Sequence, residues 1–317
     1  MNQDTNRETQ NIGCRLCPRN CNVDRSGEKT GYCGMTNEIY AARAALHMWE
    51  EPCISGERGS GAVFFTGCQL RCVFCQNAQI AAGQAGKKIS VERLAEIFIE
   101  LQEKHANNIN LVTPTHYVPQ IIKALDIAKK NGLVIPIVYN TSSYENLETL
   151  KMLDGYVDVY LPDLKYVSGI YSKKYSNAAD YFKKASTAIG EMYRQCQSPI
   201  FYERADDLVR RGIVEEGIMK RGVIVRHLLL PGLIKDSKEV IQYLYETYHD
   251  DVYVSIMNQY TPLPHVKAYP ELNRTITEAE YDEVVDYAID LGINHGFIQE
   301  EGTQKDSFIP EFDYEGI

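Results

Sequence analysis

Along the chain, short runs of β-branched and aromatic residues alternate with longer segments whose apolar positions recur every three or four residues. That alternation is the pattern of parallel strands joined by amphipathic helices. Strands are expected at 61–67, 108–113, 135–141, 157–163, 222–230 and 251–260, with a seventh, short one at 295–299. Ser90 caps the segment SVERLAEIFIELQEK, where Leu94, Ile97, Phe98 and Leu101 form one apolar stripe. Pro119 suits the first turn of PQIIKALDIAKKNG and Gly132 its end, and Thr277 with Glu280 forms a capping box before YDEVVDYAIDLG. The stretch 166–221 is too long for one crossover. It is expected to hold a helix in DYFKKASTAIGEMYRQC and another near DDLVRRGIVEEGIM, making a lid or a partner surface. The class is therefore α/β, either a doubly wound sheet or an incomplete barrel. In both, the chemistry belongs at the carboxyl ends of the strands.

At 317 residues the chain can bury a large core. A net charge of −10 argues against a nucleic-acid partner. The polar start MNQDTNRETQ lacks a secretory signal, and no run of about 18 apolar residues suggests a membrane span, so a cytoplasmic protein is expected. In such a compartment nine cysteines point to metal or redox chemistry sooner than to disulfides. Cys14, Cys17, Cys21 and Cys33 form one group and Cys68, Cys72 and Cys75 another, while the isolated Cys53 and Cys196 read as small core residues.

The second group lies in TGCQLRCVFCQN, where three cysteines stand at relative positions 0, 4 and 7. That spacing also falls on one helix face. The approach GAVFFTG, however, reads as a buried strand ending at the turn of Gly67, so Cys68 opens a loop. Soft sulfur ligands favour zinc or iron-sulfur clusters, and three of them leave one coordination position open. The first group, CRLCPRNCNVDRSGEKTGYC, offers four thiols and a closed site, for structural zinc or a second iron-sulfur cluster. Arg15, Arg19 and Arg25 around it are either surface charges or partners of an anionic thiolate site.

CQLRCVFCQN, with its CxxxCxxC spacing and an aromatic before the last cysteine, resembles the signature of the radical S-adenosylmethionine (radical SAM) superfamily. The longer HMWEEPCISGERGSGAVFFTGCQLRCVFCQN and the N-terminal cysteine motif resemble pyruvate formate-lyase activating enzyme-like radical SAM proteins. The resemblance implies a partial (β/α)6 TIM-like barrel with a small cysteine-rich N-terminal extension. It implies a 4Fe-4S cluster on Cys68, Cys72 and Cys75, with S-adenosylmethionine chelating the fourth iron, and a 5'-deoxyadenosyl radical that abstracts hydrogen. Phe74 would lie near the adenine, and Gln76 and Asn77 would continue the binding loop.

Where activating enzymes carry Gly-Gly-Glu after the second strand, this chain has VTPTHY. Backbone oxygens near Thr113 and Pro114 would then receive the methionine amino group, and His116 becomes a contact for cofactor or substrate. Asn140 and Ser142 after the third strand offer hydrogen bonds to ribose or carboxylate, with helix capping by Ser142 or Ser143 the competing reading. Asp163 and Lys165 in YLPDLKY match an Asp-Leu-Lys of glycyl-radical activating enzymes, and strand alternation puts both on one side. Arg226, inside an apolar run, needs a carboxylate partner, from a side chain or from the cofactor. His116 and Arg226 are the candidates for a catalytic role. Asn258, Gln259 and Tyr260 are substrate-side candidates.

The expectation is an oxidoreductase of radical SAM type acting on a protein partner, a glycyl-radical enzyme, with flavodoxin or ferredoxin as electron donor. A peptide, side chain or small metabolite is the alternative substrate, and a non-enzymatic iron-sulfur or zinc scaffold the outside alternative. The expected organisation is 1–46 metal-binding extension and linker, 47–300 barrel and 301–317 tail, the last either loosely ordered or docked on the barrel.

Overall fold

The computed structural model describes residues 13–299 and 311–317. Strands run in chain order as β1 (Ile39–His47), β2 (Ser60–Phe65), β3 (Lys87–Ile89), β4 (Ile109–Val112), β5 (Ile137–Thr141), β6 (Val159–Pro162), β7 (Ile200–Phe201), β8 (Met219–Leu228), β9 (Tyr253–Met257) and β10 (Gly296–Ile298). The helices are α1 (Pro52–Ser55), α2 (Ala78–Ala81), α3 (Val91–Glu103), α4 (Val118–Lys130), α5 (Leu147–Lys151), α6 (Gly169–Ser176), α7 (Tyr181–Cys196), α8 (Asp207–Arg210), α9 (Ile234–Tyr248) and α10 (Glu278–Leu291). The sheet order is β10-β9-β8-β6-β5-β4-β2-β1-β3, with β7 beside β8.

From β2 through β10 the main pairings are parallel. With crossover helices outside and the two edges β10 and β3 unpaired with each other, this is a partial TIM-like barrel whose sheet does not close. Strands covered on both faces read as unbroken apolar runs, which is why β2, β4, β5 and β6 are buried at every position. The caps follow local chemistry. Ser90 Oγ accepts from the Arg93 N–H at 3.0 Å, and Thr277 and Glu280 complete the capping box of α10.

Three elements differ from the expectation. Residues 39–47, expected as part of a linker, form β1, which pairs antiparallel with β2 in the register His47 to Ser60. Its sequence IYAARAALH is rich in alanine, a poor strand former on its own, and the pairing overrides that preference. The helix expected near 206–219 shrinks to α8 and is followed by turns. The helix after β5 starts at Leu147 with Asn146 as its N-cap, so neither Ser142 nor Ser143 caps it.

Two segments finish the barrel. Cys53 and Ile54 of α1 pack with Val138, Val159, Leu161, Met219 and Ile224 inside it. Residues 311–317 dock along β1, where the Tyr314 N–H donates to Ala42 O at 3.1 Å and the Ala44 N–H to Glu315 O at 2.8 Å. Cys53 and Cys196 are buried, as core cysteines would be. None of the described helices is long and apolar enough to cross a membrane.

Candidate active site

At the carboxyl end of β2 the chain turns at Gly67, whose φ of +94° favours glycine; a Cβ there would stand 2.3 Å from Met35 Cγ and 2.9 Å from Cys33 O. Cys68, Cys72 and Cys75 follow and line one cavity of about 220 Å³. Phe74, Gln76, Thr113, Asn140, Ser142, Asp163, Lys165 and Arg226 line the same cavity, so most of the side chains singled out in the sequence converge there. His47, Trp49 and Glu50, which sequence reasoning passed over, line it too. The cavity thus runs from the cysteine loop toward the end of the sheet where His47 pairs with Ser60.

Arg226 organises the floor. Its Nε donates to Asp163 at 3.0 Å, Nη1 to Glu50 at 3.0 Å and Nη2 to Asn140 Oδ1 at 2.6 Å. Asp163 also receives Lys165 Nζ at 2.6 Å, and Glu50 receives Asn110 Nδ2 at 2.9 Å. Burial opposes ionising Asp163, but Lys165 and Arg226 outweigh it and hold its carboxyl below the usual range. Burial likewise opposes the Lys165 charge, and Asp163 and Cys72 raise its pKa nonetheless. The network is a fixed set of charges in a low-dielectric cavity, suited to orienting a zwitterionic ligand. Glu50 was missed because its acidic doublet before Pro52 looks like a solvent-exposed turn; α1 plugs the barrel and carries it inward.

The cysteine loop is buttressed. Phe74 packs edge-on to Tyr166 and Tyr260, each with centroids 6.4 Å away, and Gln76 Nε2 donates to Gln259 O at 2.8 Å. Gln259 lines the cavity, while Tyr260 is buried and donates to Leu272 O. Ser176 Oγ, at the end of α6, donates to Cys72 Sγ at 2.9 Å. Burial pushes the Cys72 thiol up to about 11 despite Lys165, and burial with the neighbouring Cys68 and Cys72 pushes Cys75 up as well. Two thiols held up in this way, beside a third on the wall of the same cavity, call for a cation among them.

Two of the sequence candidates lie outside this cavity. His116 does not line the cavity: its Nε2 sits 2.7 Å from Thr66 O on the protein side, and burial, assisted by Arg25, lowers its pKa to about 3. The 3-10 turn Thr115–Tyr117 swings the ring toward Thr66 and away from the cavity. Pro114 is also turned aside, its carbonyl accepting from the Tyr117 N–H at 2.9 Å. Thr113 does face the cavity, with φ at +58°. A β-branched residue in the left-handed region is strained. It stands near the point where activating enzymes carry Gly-Gly-Glu.

The N-terminal cysteines also gather. A Cβ on Gly31 would lie 3.3 Å from Cys21 Sγ and 3.5 Å from Cys33 Sγ. The Cys17 and Cys33 thiols are both raised by burial and, further down, by Cys14. Among the described residues no three His, Cys, Asp or Glu side chains close around a point of single-ion size. The sulfurs of the Cys68–Cys75 loop instead face a cavity, as a polynuclear centre with one iron per thiolate requires.

The family model described as the radical SAM superfamily matches residues 62–195. An uncharacterized protein of Methanocaldococcus jannaschii, MJ0674, is 30% identical over 284 residues, covering 87% of this chain and 74% of its own length. The chain belongs to the radical SAM superfamily. Among solved radical SAM structures it is similar to Streptococcus suis SuiB bound to precursor peptide SuiA, at 13% identity and TM-score 0.48, over 74% of this chain and 47% of SuiB. It is similar to the FeFe-hydrogenase maturase HydG of Carboxydothermus hydrogenoformans at 12% and 0.49, over 76% of this chain and 54% of HydG. A domain of pyruvate-formate lyase-activating enzyme from Bacteroides vulgatus matches at 13% and 0.38, over 58% of this chain and 92% of that domain. The chain therefore spans about half the length of SuiB and of HydG. Membership of the radical SAM superfamily implies S-adenosylmethionine and a 4Fe-4S cluster. The convergent thiols and the charged cavity beside them fit both.

Proposed function

We propose that Cys68, Cys72 and Cys75 hold the cluster, and that the cavity beside them binds S-adenosylmethionine for hydrogen abstraction from a protein partner, in the manner of a glycyl-radical activating enzyme. The observation that carries this reading is the meeting of three cysteines with Asn140, Ser142, Asp163, Lys165 and Arg226 around one cavity. When bound, the cluster supplies the electron that cleaves S-adenosylmethionine to a 5'-deoxyadenosyl radical. The chain's own residues bind and align. Thr113, whose left-handed backbone turns at the end of β4, presents its carbonyl to the methionine amino group. Asp163, Lys165 and Arg226 set the charge around the methionine carboxylate, Phe74 packs by the adenine, and the buried walls exclude water and stray hydrogen donors. Neither His116 nor a free Arg226 serves as a proton-transfer group in this reading, since both are committed to internal partners.

A protein partner is favoured by the rim. Leu46, Met48 and Trp49 are 37%, 42% and 62% exposed, and Trp49 continues into the cavity wall. An exposed tryptophan on the wall of a charged cavity suits contact with a polypeptide. The test is anaerobic. Reconstituted protein with dithionite and S-adenosylmethionine should form 5'-deoxyadenosine, and the Cys68/Cys72/Cys75→Ala triple variant should form none. Equal product from both would refute the assignment of the three cysteines. Deuterium transfer into 5'-deoxyadenosine from a glycine-deuterated glycyl-radical protein would support the activase reading. Transfer only from a peptide or metabolite would replace it with the alternative substrate.

A further inference from the structure

Residues 13–38 contain no helix or strand, yet Arg25, Cys33 and Met35 within them are buried. The backbone hydrogen bonds within them are turn and loop contacts. Cys14 and Val23 pair by an N–H to O bond of 2.8 Å, and Gly31 and Met35 by one of 3.1 Å. A loop of this length with so little regular structure needs a staple to keep one conformation. Four cysteines gathered inside it, with no disulfide among them, are the staple at hand.

The direction of the arginines shows what the staple holds. Arg15 is exposed, and its Nε donates to Asn22. Arg25 is buried: it donates to Cys14 Sγ at 3.5 Å, to Met35 O at 3.0 Å, to Thr36 O and to His116 O at 2.9 Å. Arg19, between the second and third cysteines, points away from the thiols. Its Nε donates to Gln69 O at 2.8 Å, Nη1 to Asn177 O at 2.6 Å and Nη2 to Ser176 O at 3.3 Å. The guanidinium is held between the rings of Tyr32, 4.1 Å away, and Tyr144, 5.1 Å away. Gln69 follows Cys68 in the loop, and Ser176 is the residue whose hydroxyl donates to Cys72 Sγ. One side chain therefore grips both the cysteine loop and the donor to one of its sulfurs. Gly67 against Cys33 O and Met35, and Arg71 over Tyr32 at 5.1 Å, add two further contacts between the segments.

We propose that Cys14, Cys17, Cys21 and Cys33 form a closed thiolate centre for a polynuclear iron-sulfur cluster, whose function is to clamp the Cys68–Cys75 loop through Arg19. A cluster is the occupant because their sulfurs gather without closing on a point of single-ion size. Arg19 is a positioning residue that acts through Ser176 on Cys72. The metal half stands on the four cysteines alone, and the clamp half rests on the reading of Cys68, Cys72 and Cys75 as cluster ligands. Hydrogen bonds to cluster sulfurs stabilise the more negative, reduced form and so raise its potential.

The test uses the full chain, produced with iron and zinc both supplied and purified without oxygen. It reads iron, sulfide and zinc per chain, and the midpoint and spin-resonance spectrum of the signal that the Cys68/Cys72/Cys75→Ala triple variant lacks. Wild type should carry one centre more than the Cys14/Cys17/Cys21/Cys33→Ala quadruple variant. A difference of about four irons with matching sulfide identifies the cluster, and a difference of about one zinc with no iron overturns it. Equal metal content overturns the metal half.

Arg19→Ala should keep wild-type metal content and shift the midpoint to more negative potential, in the same direction as Ser176→Ala, with Arg19→Lys shifting it less. A wild-type midpoint and spectrum in Arg19→Ala overturns the clamp whether or not Ser176→Ala shifts them, and this result does not depend on the quadruple variant folding. A triple variant that loses no iron overturns the reading of the loop and the clamp with it. The comparison of wild type with the quadruple variant still decides the metal half.

Discussion

Replacing Arg226 with methionine tests whether the charged floor of the cavity is a single unit. The side chain is 13% exposed, and its two carboxylate partners, Glu50 and Asp163, are 10% and 15% exposed. Removing one member of a buried ion pair costs roughly 3–5 kcal/mol, because the partner charge is left without compensation. Here each abandoned carboxylate keeps another donor, Lys165 for Asp163 and Asn110 for Glu50. The expected loss is therefore at the lower end, about 3 kcal/mol. Arg226→Lys should recover part of it, since a single ammonium cannot serve the three directions of the guanidinium fork. Urea unfolding of Arg226→Met, Glu50→Gln and the double variant, at one fixed metal content, measures both the loss and the coupling. The double-mutant cycle should give about 1–2 kcal/mol between the two positions. A loss under about 1 kcal/mol, or a coupling indistinguishable from zero, would show that the network is loose and the argument for a preorganised binding floor is wrong.

Thr113→Gly should leave the protein as stable as wild type or more so, because release of about 1–3 kcal/mol of left-handed strain exceeds or matches the added freedom of glycine in the unfolded chain; a clear drop in the unfolding midpoint would contradict the strain. Phe312→Ala should cost about 2 kcal/mol, since its ring packs edge-on to Phe64 at 5.7 Å and closes an apolar cluster with Ala62 and Val112. Unchanged stability would mean that residues 311–317 contribute nothing by docking. His116 and His227, both 2% exposed, have pKa values pushed by burial to about 3 and about 4. Their folded values lie below the unfolded one, so their contribution is complete above pH 6.5 and is lost as pH falls, at about 1.5 kcal/mol each by pH 5. Glu145, raised by burial to about 7, works the other way, and between pH 6.5 and 5 it offsets about one histidine's worth. His47, lowered by burial to about 4, adds to the loss, so stability followed by urea unfolding should fall by about 2–3 kcal/mol over that interval; a flat profile would contradict the neutral burial of these rings.

The sequence by itself determined the α/β class and the six parallel strands, because hydrophobic runs and helical stripes are local patterns that packing has no reason to override. It also located the cysteine loop, since Gly67 and the apolar run before it force the chain out of a strand at Cys68. Arg226 could be read as needing a carboxylate, because an unpaired guanidinium in an apolar strand is too costly. Which carboxylates it meets was decided only by tertiary structure. Glu50 reaches it because α1 folds into the barrel, a contact across 176 positions that no local pattern encodes. His116 illustrates the opposite case: its place after a strand suggested the cavity, and one 3-10 turn aimed the ring at Thr66 instead. β1 escaped notice because alanine-rich strands carry little propensity of their own and exist by pairing with β2. Ser176 was likewise invisible in the sequence, and Arg19 read there as a surface charge or a partner of the thiolates, not as a grip on the cysteine loop. A hydroxyl on Cys72 and a guanidinium on Gln69 O are facts of distance, and distances between segments are settled only when the barrel brings them together.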